Sequence, residues 1–146
     1  MKKFSLLLSF LFLLGCATLR INNPPVNYKS VAYELVKKGW DALSKKNFTD
    51  VRGITDQCIR LYSGQAKVLN EKCGISYLNE CSLLNDVAQC FYIKGEAYFK
   101  ANNYQEYQKI CDGINKWYFN GLVYDFNGWP WKPAEACKSR LEGIKQ

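Results

Sequence analysis

Histidine is absent from this chain of 146 residues, and its absence excludes several kinds of chemistry. Histidine is the commonest general base and the commonest metal ligand in proteins. A Ser-His-Asp or Cys-His catalytic arrangement therefore cannot form within the chain. The seven cysteines also lack the CxxC spacing of metal-binding loops. We accordingly predict no catalytic residues, no metal site and no enzymatic activity.

The sequence also lacks any long alternation of apolar and polar residues, the pattern of a half-buried strand. Without strands there is no place for a phosphate-binding loop between a strand and a helix. Apolar residues recur instead at spacings of three and four, which indicates amphipathic helices. Ser30 is a plausible N-cap, residues 72–84 are irregular, and Pro133 suits the first turn of a last helix. The predicted class is all-α, with helices at about 31–44, 49–69, 85–101, 104–117 and 133–144.

The N-terminus has the composition of an export signal. Two lysines precede an apolar run from Phe4 to Leu14, and Gly15 and Cys16 follow. The run is shorter than the roughly 20 residues that span a bilayer. The segment resembles the lipobox of bacterial lipoproteins, which implies cleavage between Gly15 and Cys16 and a diacylglycerol or acyl lipid on Cys16. The alternative is a plain secretory or transmembrane segment that a cysteine happens to follow.

The resulting organisation is a signal peptide at 1–15, a lipidated cysteine and Pro-containing tether at 16–30, and a helical domain at 31–146. Apart from the lipid we expect no cofactor. The predicted location is a bacterial membrane surface facing the periplasm, and Ala17 in place of an aspartate favours the outer membrane. Removal of the signal leaves a net charge of about +5, spread along the chain. Since this compartment lies outside the cytoplasm, nucleic acid is not an expected partner.

Six cysteines remain once Cys16 is assigned to the lipid: Cys58, Cys73, Cys81, Cys90, Cys111 and Cys137. An even number of cysteines in a small exported domain indicates a disulfide framework. Six cysteines allow fifteen pairings. Free thiols or a metal site are the alternatives.

The two helix pairs are alike in sequence. When Gly39 is aligned with Gly95, Phe48 aligns with Tyr104. This pattern resembles the tetratricopeptide repeat, a helix–turn–helix unit with a small residue where its helices touch. The resemblance implies two such units and a C-terminal capping helix, with Gly95 at the close approach and Tyr104 packing the turn. Gly53, Gly113 and the long linker depart from the family pattern, and a generic helical bundle is the alternative.

The resemblance also implies a groove and a set of disulfides. Its register places Cys58 beside Cys90, Cys111 beside Cys137, and Cys73 beside Cys81 across the linker. The first helix of each unit would line a groove for an extended peptide or a partner helix. The implied groove residues are Tyr33, Val36, Trp40, Gln89, Tyr92, Glu96 and Lys100. Trp40 can equally be an ordinary core residue.

The aromatic segment 117–131 provides a second candidate site. Trp129 and Trp131 are able to stack on a sugar ring, and Asp125 and Glu135 are carboxylates near them. The alternative is that Trp129-Pro130-Trp131 simply packs the last helix onto the fourth. The sequence thus favours an envelope lipoprotein that binds another envelope protein or peptide segment as a scaffold or assembly module. A glycan- or peptidoglycan-binding lipoprotein that uses the aromatic segment is the alternative. A weak enzyme of the carboxylate type, with Asp125 and Glu135 as its paired carboxylates, is the second alternative.

Overall fold

The structure, a computed structural model, describes residues 30–74, 81–125 and 127–144. These ranges contain α1 (Tyr33–Ser44), α2 (Phe48–Cys73), α3 (Ser82–Lys100), α4 (Tyr104–Trp117), β1 (Val123–Tyr124), β2 (Pro130–Trp131) and α5 (Pro133–Ile144). The predicted all-α class is confirmed, and α4 and α5 have the bounds expected from the sequence. The proposed signal peptide and Cys16 lie outside the described residues. Of the helices in the described ranges, none combines the length and the apolar content needed to cross a bilayer.

The two helical hairpins, α1–α2 and α3–α4, turn in the same way. Lys46 and Asn102 both adopt a φ of 59°, the left-handed conformation that reverses a chain tightly. The asparagine after each one caps the next helix through its side-chain oxygen. Asn47 accepts from the third backbone N–H beyond it at 3.3 Å, and Asn103 does the same at 3.2 Å. The hairpin turn therefore recurs at the 56-residue offset read from the sequence.

Helix α3 lies at the centre of the domain and contacts each of the other four helices. One core cluster joins α3 to α1 and α2, and a second joins it to α4 and α5. Gly95 permits the close approach of α4, because a Cβ there would lie 3.3 Å from the ring of Tyr107. Tyr104 is more exposed and packs edge-on against Phe99, 5.5 Å away, beside the turn. Tyr107 thus fills the contact at Gly95, and Tyr104 packs the turn.

The chain after α4 is fixed across α2 and α3. The ring of Tyr118 stacks on Phe91 at 4.9 Å, and its hydroxyl donates to the carbonyl of Ser63 at 3.3 Å. Gly121 then passes so close to α3 that a Cβ would lie 2.6 Å from that of Ala88. Only glycine fits this crossing. The crossing carries the chain over α3 into the β-ribbon.

Three disulfides link the helices, and they are the pairs that the repeat resemblance implied. Cys58–Cys90 joins α2 to α3 with a Cα–Cα distance of 6.6 Å. Cys73–Cys81 closes the linker at 6.0 Å, and Cys111–Cys137 joins α4 to α5 at 5.5 Å. These distances suit disulfide geometry. The second hairpin is therefore joined covalently both to the first hairpin and to the last helix.

Several local predictions were wrong. Helix α2 continues to Cys73, and α3 begins at Ser82, so the irregular linker is shorter than the predicted 72–84. Ser30 does not cap α1, whose N-cap is Ala32 and has no side-chain cap. The Ser30 hydroxyl accepts from the Ala32 N–H at 3.0 Å and donates to the Asp86 carboxylate on α3. Ser30 thus fastens the start of the domain to α3.

The aromatic segment 117–131, in which the sequence predicted no strand, contains a small antiparallel ribbon. In it β1 pairs with β2. Its strands have two residues each, too few to give an alternating pattern. The connecting turn is held by Asp125, whose Oδ1 accepts from the N–H groups of Asn127 at 2.8 Å and Trp129 at 2.9 Å. Gly128 has a φ of 80°, a conformation that glycine adopts readily.

Candidate functional site

A pocket of about 550 Å³ lies where α1, α3 and the ribbon meet. Its volume falls within the range of ligand-binding sites. Its walls are mainly aromatic, with three polar side chains among them. The lining residues are Tyr33, Val36, Lys37 and Trp40 from α1, Gln89 and Tyr92 from α3, and Tyr124, Asp125 and Trp131 from the ribbon.

Helix α1 presents one face to this pocket. Tyr33, Val36 and Trp40 follow the helical spacing of three and four that brings side chains onto one side. Val36 is buried, whereas Tyr33 and Trp40 are half-buried. Trp40 also packs against both core clusters. Trp40 therefore packs against the core and also lines the pocket.

Tyr92 forms the centre of the aromatic wall. Its ring lies 6.3 Å from Trp40 and 5.0 Å edge-on from Trp131. Edge-on and tilted contacts of this kind are favourable between aromatic rings. Burial raises the pKa of the Tyr92 hydroxyl, and the Glu96 carboxylate raises it further. Tyr92 therefore stays protonated at physiological pH. Its hydroxyl is hydrogen-bonded to Glu96 and Arg140, so Tyr92 contributes mainly its ring to the pocket.

Three polar side chains give the pocket its hydrogen-bonding capacity. Gln89 lies beside Tyr92 in the α3 wall, and Asp125 belongs to the ribbon. Lys37 forms an exposed ion pair with Glu34 at 3.4 Å and lies 5.9 Å from the Tyr33 ring centroid. Among the described residues that line the pocket, Asp125 has the only carboxylate. Glu135, its proposed companion, forms an ion pair with Lys132 at 3.4 Å and does not line the pocket.

The structure brings five of the seven predicted groove residues into the pocket. Glu96 and Lys100 lie outside it, and α5 covers Glu96. The Glu96 carboxylate is buried and pairs with Arg140 of α5, with both nitrogen–oxygen distances at 3.1 Å. Arg140 also lies over the Phe99 ring at 4.7 Å. Lys100 is exposed at the end of α3.

The aromatic segment divides between the pocket and the surface. Trp131 packs on Tyr92 and lines the pocket, whereas Trp129 is 71% exposed and lines none of it. Sequence reasoning treated the α1–α3 groove and this segment as rival sites, but they share one pocket. Tyr124 and Lys37 were missed as lining residues. Tyr124 had a usable signal, because it lies in the same aromatic segment as Trp131.

The described residues contain no group of three or more cysteine, aspartate or glutamate side chains arranged to hold a metal ion. Comparisons with protein-family models, with curated proteins and with solved structures return no match to this chain. The shape and chemistry of the pocket and the surface therefore provide the basis for any functional proposal.

Proposed function

We propose that this chain is an exported, lipid-anchored, tetratricopeptide-like interaction module that holds a short segment of another envelope protein in its aromatic pocket. No catalytic step is part of the proposal. The observation that carries it is the convergence of α1, α3 and the ribbon on one pocket. Five aromatic side chains meet there with Gln89, Asp125 and Lys37.

Export is supported by the N-terminal pattern and by the disulfides. The chain places Gly15-Cys16 directly after a short apolar run. Disulfides persist in oxidising compartments, and five of the six paired cysteines are buried. Ala17 follows the proposed lipidated cysteine in place of an aspartate, which favours the outer membrane.

The tetratricopeptide-like assignment draws support from the repeated hairpin turn and from the helix contact at Gly95. In that family the first helices of the units line the binding surface, and here these are α1 and α3. The ribbon and α5 shorten this surface to a pocket. The proposed occupant is therefore a short peptide segment rather than a long extended one.

The chemistry of the walls indicates which residues the partner supplies. Tyrosine and tryptophan are frequent hot spots because they bury a large apolar area and still offer a polar group. A partner segment with one or two aromatic or aliphatic side chains would fill the cavity. Gln89 would then bond to its backbone.

In-cell photocrosslinking tests the proposal. A photoreactive amino acid at position 89 is combined with Tyr33→Ala, and the matched control is Tyr104→Ala, a tyrosine that lies outside the pocket. We expect one dominant envelope protein to crosslink in the parent chain and in the Tyr104 variant, with at least a tenfold loss in the Tyr33 variant. Equal capture by both variants, or no dominant product in any of them, would contradict the proposal.

A glycan is the second candidate occupant, and the position of Trp131 favours it. The Trp131 and Trp40 indoles line the same cavity as Gln89 and Asp125, so stacking and hydrogen-bonding groups are available together. Titration of the purified chain with soluble peptidoglycan fragments, followed by indole fluorescence, separates the two candidates. A saturable change that Trp131→Phe weakens and Trp129→Phe leaves intact would assign the pocket to glycan.

A further inference from the structure

Two lysines from different helices converge on one tryptophan at the end of α4. The Lys67 ammonium of α2 lies 4.6 Å from the centroid of the Trp117 ring, and that of Lys116 lies 4.7 Å from it. Trp117 is 43% exposed, and both lysines are exposed. A cation over an indole ring is favourable by itself. Here the ring gathers two positive charges around an apolar surface that faces solvent.

A second exposed ring follows directly. Phe119 is 49% exposed, although Tyr118 between it and Trp117 is buried. Tyr118 holds this part of the chain rigidly through its stacking on Phe91 and its bond to Ser63. The structure thus maintains two outward aromatic rings on a fixed backbone. Exposed apolar surface of this kind commonly marks an interaction site.

The positive charge here is not neutralised by ion pairs. Glu71 lies one turn beyond Lys67 on α2, and Asp112 lies one turn before Lys116 on α4. Within the described residues, neither lysine approaches a carboxylate within 4.0 Å. The two ammonium groups are therefore available to an anionic partner.

We propose that Lys67, Lys116, Trp117 and Phe119, called here the Trp117 patch, dock the domain onto the headgroup region of an anionic lipid bilayer. Tryptophan is enriched at membrane–water interfaces, where its ring enters the headgroup layer. Lysines beside it attract anionic headgroups while their alkyl stems lie along the apolar boundary. A soluble anionic polymer would meet the charges but would give no apolar layer to the two rings, so the bilayer is the better match.

The Trp117 patch and the aromatic pocket are separate sites. None of the four patch residues lines the pocket. The proposal goes beyond the binding role of the pocket and does not depend on it.

Vesicle binding of the full chain tests the patch. Vesicles of phosphatidylcholine alone are compared with vesicles that contain about one third phosphatidylglycerol. The double variant Lys67→Gln, Lys116→Gln is matched to Lys45→Gln, Lys109→Gln, which removes the same charge from lysines that pair with Asp41 and Glu106. All variants share residues 1–29, so any binding by that segment cancels.

We expect the anionic preference to fall about fivefold per patch lysine, and so about twenty-fivefold for the patch double variant. The control double variant should lose less than a few fold. Equal losses in both would show that net charge alone drives binding and would overturn the proposal. Patch-dependent binding to soluble dextran sulfate, without binding to vesicles, would overturn it in favour of a polymer.

Quenching of indole fluorescence by brominated lipids gives the orientation. Trp117→Phe should remove most of the quenching on anionic vesicles, whereas Trp129→Phe, at the most exposed indole, should preserve it. The reverse result would place the ribbon against the bilayer and would contradict docking through the Trp117 patch.

Discussion

Mild acid is expected to stabilise the domain through one carboxyl group, that of Asp86 on α3. The group is half-buried and accepts a hydrogen bond from the Ser30 hydroxyl. Burial raises its pKa from 3.8 to about 6, although the Ser30 bond acts in the opposite direction. Asp86 is therefore charged at pH 7 in surroundings that favour the neutral acid.

The direction of the effect follows from proton binding. The folded protein takes up a proton at Asp86 near pH 6, whereas the unfolded chain does so only near 3.8. Between these values the folded state binds more protons, so the free energy of unfolding falls as the pH rises. The stabilisation is complete below pH 3.8 and is lost as the pH rises through about 6. A shift of about two units corresponds to roughly 3 kcal/mol.

Urea unfolding between pH 4 and pH 8, with the disulfides intact, measures this contribution. Asp86→Asn cannot ionise but still accepts the Ser30 bond. We expect the variant to be more stable than the parent by roughly 3 kcal/mol at pH 7 and equal to it near pH 4. The difference between the two proteins is the informative quantity, because every other carboxyl group titrates in both.

Ser30→Ala is the control for the mechanism. Loss of a hydrogen bond that favours the charged form should raise the pKa of Asp86 further and move the transition to higher pH. A stability difference between parent and Asp86→Asn that is constant from pH 4 to pH 8 would refute the reasoning, since it would show that burial does not perturb this carboxyl group.

Three further predictions concern stability and are measured by denaturant or thermal unfolding. Gly53→Ala should stabilise α2 by about 1 kcal/mol, because its Cβ would enter open space, whereas Gly95→Ala should give no gain, because its Cβ would press on a buried ring. Arg140→Gln should destabilise the domain by about 2 kcal/mol by leaving the buried Glu96 carboxylate unpaired, and Glu96→Gln in the same chain should restore part of the loss. Replacing both cysteines of Cys111–Cys137 by alanine should cost about 3 kcal/mol, as expected for a bridge across 26 residues, and an unchanged denaturation midpoint would contradict it.

The helical part of the fold was accessible from the sequence because local signals coincide with the tertiary structure. Asn103 caps α4 and Pro133 opens α5, so both helices have the predicted bounds. The disulfide pairs were predicted through the repeat register. The end of α2 and the start of α3 were misplaced, because apolar periodicity does not show how closely the two helices approach the Cys73–Cys81 closure.

The sequence predicted two parts of the pocket separately but not that they form one site. Helical spacing identified the face of α1 with Tyr33 and Trp40, and composition identified the aromatic segment with Trp131. They meet after a long-range contact, the close passage of Gly121 over α3 just before the ribbon. The contact of Glu96 with α5 is likewise long-range, since it depends on the ion pair with Arg140. Neither contact has a local sequence signature, so the two sites were judged to be rivals.

The disulfide arrangement also determines what a protease does to this protein. A single backbone cut between Cys73 and Cys81 would leave the two halves joined twice, by Cys73–Cys81 and by Cys58–Cys90. The second half contains α3, α4, α5 and the ribbon, and it would stay attached to the N-terminal half without a continuous polypeptide. Cleavage at this point would show only after reduction, as two fragments on a denaturing gel.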